Sequence, residues 1–216
     1  MWQSVGWDMT YKALKDNDLR HLAAINRSYL EFLGSNDRHA ARQLERLEPT
    51  AREMLRRLTP EQRGEAASSP FLLCSVRAVD VGGSAADPGS FELFRGAAPS
   101  VELVLYMSLS LLRRLAWRRP FAARLLGGVD AAWCDELAGL DEPALAAIAH
   151  AQAARLRPVH AAVAGFWPEL LRCAELVPLR RRAVRAAGLQ LQQRLPATPP
   201  LRAAASRLQA SRRRSG

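Results

Sequence analysis

Along residues 19–33, LRHLAAINRSYLEFL, apolar side chains recur every three or four positions, at Leu19, Leu22, Ile25, Tyr29, Leu30 and Leu33. This is the period of one helix face, so the segment is predicted to be a helix with a buried stripe. Asn26 is a polar residue set beside that stripe. A second, shorter stripe runs through Ala40, Ala41, Leu44 and Leu47, and a third through Ala51, Met54, Leu55 and Leu58. The run TPEQ at 59–62 opens one more short helix. Thr59 suits the N-cap, Pro60 the first helical position, and Gln62 the place where a capping box wants Glu or Gln. Ser69-Pro70 discourages helix beyond Ala67. The uncharged FLLCSV at 71–76 is read as a closing segment, at most a brief strand.

Residues 79–100 hold four of the thirteen glycines and two prolines, the composition of a linker. Beyond it the pattern returns. Shifted by 82 residues, positions 19–67 align without a gap on the second half. Ser28 falls on Ser110, Leu30 on Leu112, Leu33 on Leu115, and AAR at 40–42 on AAR at 122–124. Thr59 becomes Asp141, another good N-cap. A unit of this size buries little apolar area alone, so a second copy or a partner chain would have to cover it. The expected fold is therefore all-α: two tandem small helical units, each a long helix followed by three short, helix-turn-helix-like ones. Their expected bounds are 1–78 and 101–178, with 79–100 as linker and 179–216 as a basic helix and tail.

Charge changes the picture only at the end of the chain. Basic and acidic residues cancel through residue 175, after which ten arginines and no acid follow, producing the net charge of +10. Such a tail is a footprint for nucleic acid or anionic membrane, or else a solvated terminus serving solubility. No run of 18 apolar residues occurs and no secretory signal is visible, which points to a chain without a membrane span, in the cytoplasm. Three scattered cysteines, Cys74, Cys134 and Cys173, fit a reducing compartment. Neither they nor the four histidines have metal-ligand spacing, so no metal and no cofactor is expected. Catalytic motifs are missing too, and the expectation is that the chain is not an enzyme.

Three motifs in order carry a resemblance. They are INRSYL (Ile25, Asn26, Ser28, Tyr29, Leu30), LTPEQ (Leu58, Thr59, Gln62) and FLLCSVR (Cys74, Arg77). In these the stretch 15–77 resembles the FlhD-like family of flagellar transcriptional regulators. The second half keeps the register but loses the wording: Leu156 stands opposite Cys74 and Val159 opposite Arg77. The resemblance implies transcription regulation together with a zinc-bearing, FlhC-like partner subunit. It also implies a subunit contact, for which Tyr29, Leu30, Leu33 and Cys74 are the candidates. A second unit could stand in for the paired subunit, so the chain is expected either to pair its own halves or to form a homodimer.

The DNA-contacting candidates are arginines. RRLAWRRPFAAR at 113–124 supplies Arg113, Arg114, Arg118, Arg119 and Arg124 around Trp117 and Phe121. RRRAVR supplies Arg180, Arg181, Arg182 and Arg185, and the terminus Arg212, Arg213 and Arg214. On an exposed helix these would hold phosphates without reading sequence. The competing reading of 113–124 is a solvated helix face with Trp117 tucked into a core. The short helix pairs at 50–67 and 132–157 have helix-turn-helix length but poor base-reading chemistry. A second function class stays open beside the regulator: a helical adaptor for secretion or motility that binds protein and not DNA.

Overall fold

The computed structural model describes residues 15–82, 100–173 and 175–194. The fold is all-α. In the first half a long helix, α1 (Asp16–Leu33), is followed by α2 (Arg38–Leu44), α3 (Pro49–Arg57) and α4 (Pro60–Ala67), then by a two-residue strand, β1 (Cys74–Ser75). The second half repeats the order with α5 (Val101–Arg118), α6 (Pro120–Gly127), α7 (Ala131–Ala138) and α8 (Glu142–Gln152). A 3-10 turn (Ala153–Arg155) leads into β2 (Arg157–Pro158), and two more helices follow, α9 (Phe166–Leu171) and α10 (Pro178–Arg194).

The helix starts follow from the residues in front of them. Thr59 and Gln62 form the capping box of α4, each side chain bonding the other's backbone N–H. Asp37, Ser100, Asp130 and Asp141 accept from the first turns of α2, α5, α7 and α8. Each cap satisfies amides that the helix cannot bond internally. The short helices of the two halves begin at Arg38 and Pro120, Pro49 and Ala131, Pro60 and Glu142, each pair 82 residues apart.

One contiguous apolar core joins the halves. Helix α1 packs against α2, α4 and α5, while α5 packs against α6, α7 and α8. The two long helices thus meet each other and carry the short ones on their flanks. Helix α9, late in sequence, crosses back onto α3 and α4 of the first half. Residues 79–82, which composition assigns to the linker, belong to the core. Val79 and Val81 are buried, and Gln152 bonds both the N–H and the carbonyl of Asp80. The rest of that linker, 83–99, lies outside the described residues.

Asn26 anchors the closing segment of the first half. Fully buried on α1, its Nδ2 donates to the carbonyls of Ala67 (3.1 Å) and Phe71 (3.0 Å), and its Oδ1 accepts from Leu73 N–H (3.0 Å). A segment that leaves a helix without continuing as a long strand has unsatisfied backbone groups, and this one carboxamide takes up three of them.

Candidate functional site

The seam between the halves is built around Cys74. β1 pairs antiparallel with β2, setting Cys74 opposite Pro158 and Ser75 opposite Arg157. Ser75 and Arg157 are themselves 82 residues apart, so each strand meets its own counterpart. Cys74 is buried, with Sγ 3.5 Å from the hydroxyl of Ser108 on α5. Burial pushes its thiol up to about 11, against a smaller lowering by the Ser108 hydrogen bond, so it stays protonated at neutral pH. Cys134 is raised to about 11 and Cys173 is raised as well, both chiefly by burial. Among the described residues no group of three or more His, Cys, Asp or Glu side chains gathers as a metal site would require.

The other candidate contact residues are also internal. Tyr29, Leu30 and Leu33 are buried in the core of the chain, leaving no exposed surface for a separate subunit. The Tyr29 hydroxyl donates to Gln43 Oε1 at 2.6 Å. At the positions 82 residues on, Leu111 and Leu125 replace this hydrogen-bonded pair, and both are buried.

The candidate arginines divide into two groups. Arg113 bonds Glu142 at 3.0 Å. Arg114 and Arg119 both face Asp18 on α1, at 3.3 and 3.8 Å, and Arg114 also meets His21 Nδ1 at 2.8 Å. Arg181 and Arg185 hold Glu65 of α4, each at 3.1 Å, and Arg185 also reaches the Ser68 hydroxyl. These five are engaged by carboxylates of their own chain and clamp elements together. Arg118, Arg124, Arg180 and Arg182 are exposed and have no carboxylate partner among the described residues. Arg212, Arg213 and Arg214 lie outside the described residues.

Trp117 does not fill a core. Its side chain is 72% exposed and Phe121 is 60% exposed, one on each side of the α5–α6 corner. What is satisfied is the indole N–H, which donates to the Ala138 carbonyl at 2.7 Å.

Helix α10 is likewise more than a basic extension. Gly188 packs on Phe71 and Phe166, its carbonyl faces His160 Nε2 at 3.1 Å, and Gln192 lies over Gly128 of α6. The helix spans both halves, bonded to α4 at one end and lying on α6 at the other. Sequence pattern missed this strap because Val184, Leu189 and Leu191, the apolar residues it packs on the core, are interspersed with the inward-facing Arg181, Arg185, Gly188 and Gln192. The four-residue spacing from Arg181 to Arg185 and from Gly188 to Gln192, with the apolar Val184, Leu189 and Leu191, was its signal.

Sequence pattern also passed over a basic stripe that begins on α2 and ends in the turn after it. Arg38, Arg42 and Arg46 are exposed at four-residue spacing, and Arg42 stands 82 residues before Arg124. No helix among the described residues is long and apolar enough to cross a membrane. No protein-family model, curated protein or solved structure matches this chain.

Proposed function

We propose that the chain is a transcription co-regulator similar in build to the FlhD-like family, with its two helical units paired inside one polypeptide. It would act through duplex DNA and an FlhC-like partner subunit. The observation that carries this reading is the seam: Ser75 pairs with Arg157, its counterpart 82 residues on, and the two long helices pack on each other. Counterpart meeting counterpart is what a two-fold interface between like units produces. In this reading the second half takes the place of a second subunit. The free arginines Arg42 and Arg124 then occupy matching positions on the two units, and Arg118, Arg180 and Arg182 add phosphate-binding capacity.

The adaptor reading is favoured by a different observation. Five of the nine described candidate arginines are neutralised within the fold, which reduces the charge available to a polyanion.

Mobility shifts at two salt concentrations, on duplex fragments upstream of neighbouring genes and with or without a co-expressed partner, separate the two. The regulator should give a weak, steeply salt-dependent shift alone and a discrete one with its partner. Absence of any shift, with a protein partner still recovered, would replace the regulator by the adaptor.

A further inference from the structure

We infer that the corner between α5 and α6 is a binding surface for single-stranded nucleic acid, a role that shares Arg118 and Arg124 with duplex binding but, resting on the two rings, does not depend on it. The corner carries rings and cations in alternation: Trp117, Arg118, Phe121, Arg124. Both rings are mostly exposed, although burying them would be favourable. The hydrogen bond from Trp117 Nε1 to Ala138 consumes the polar edge of the indole and limits its rotation, leaving the π-face outward. Arg118 and Arg124 are exposed, and the nearby carboxylate of Asp18 is already shared by Arg114 and Arg119. A tethered indole and a second exposed ring, interleaved with guanidinium groups that no described carboxylate holds, offer what unpaired nucleotides require, since each presents a base face and a phosphate.

Beside the rings lies a cleft of about 310 Å³ lined by Phe121, Arg124, Leu125, Gly128, Asp130 and Gln192. That is the small end of ligand clefts, suited to one flat heteroaromatic ring. Gln192 is only 5% exposed, and its Oε1 lies against Gly128 without a hydrogen-bond donor among the described residues. Gly128 allows the arrangement: its φ of 62° is left-handed, and a Cβ there would run into the Gln192 carboxamide.

Charge selects among occupants. Beyond α10, residues 195–216 hold five arginines and no acid. A second copy would bring the same positive charge. Duplex DNA stacks its base faces internally and would leave both rings unused.

Fluorescence anisotropy of the full chain with labelled oligodeoxythymidine and oligouridine of about 20 nucleotides, against a duplex of equal length, tests this. Both single strands should bind more tightly than the duplex at equal salt, and the tighter of the two assigns the source as DNA or RNA. Trp117→Ala and Phe121→Ala should each weaken single-strand binding by about tenfold, with Trp117→Phe retaining most of it. Arg124→Ala should lower the salt slope by about 0.7. Circular dichroism checks that these surface variants stay folded. Equal affinity for duplex, indifference to loss of both rings, or equal binding of polyglutamate would each overturn the proposal. So would loss of a protein partner in Trp117→Ala from a chain that binds no single strand.

Discussion

At Asn26 a single side chain decides whether the closing segment of the first half is held. Replacing it with Leu would leave two carbonyls and one N–H without partners in an apolar interior. The expected loss is about 2–4 kcal/mol, read as a lower urea midpoint. Tyr29 and Gln43 make a second test at this scale. Tyr29→Phe should destabilise by about 1–2 kcal/mol, because Gln43 Oε1 is then buried without its donor. Adding Gln43→Leu should recover most of that loss, as the buried Leu111 and Leu125 of the second half suggest. His160 offers a pH test. It has a φ of 51°, lies against Phe71 and Phe166, and its pKa is held below 6.5, first by burial and also by Arg77, against the Gly188 hydrogen bond that raises it. With the folded pKa depressed, the unfolded chain takes up the proton first as pH falls below about 6.5. Stability is therefore full above that pH and declines below it. His160→Asn, which tolerates the left-handed backbone, should flatten this part of the stability–pH curve.

At the level of elements, α10 is the part whose role changed most. Its basic residues suggest a free tail, yet Arg181 and Arg185 hold Glu65 and Gly188 admits Phe71. These ion pairs are partly exposed, so Glu65→Ala should cost only about 0.5–1 kcal/mol, less at high salt. Gly188→Val should act more strongly, since a side chain there meets the Phe71 ring. Limited proteolysis should then cut within 178–194 well before the rest of the described core. If both variants resist cleavage as the parent does, α10 is held by contacts other than these. The short helices behave differently. Their boundaries were legible because caps and prolines are local signals, and Thr59, Asp141 and Pro60 act at the positions their chemistry suggests.

For the molecule as a whole, the seam makes a prediction about size. Tyr29, Leu30, Leu33 and Cys74 are consumed inside the chain, so light scattering at micromolar concentration should find a monomer in the absence of partners. A stable dimer would mean that another face, such as the exposed aromatic corner, pairs copies. Periodicity and capping already dictated an all-helical chain, the order of long and short helices, and the 82-residue recurrence, because these depend on contacts a few residues apart. They could not say which arginines would be free. Glu65 and Arg185, or Asp18 and Arg114, are 120 and 96 residues apart, and only folding brings such charges together. The same holds for Trp117, which pattern alone placed equally well in a core or on a surface. Its exposure followed from the α5–α6 corner turning the ring outward while Ala138 took its one polar atom.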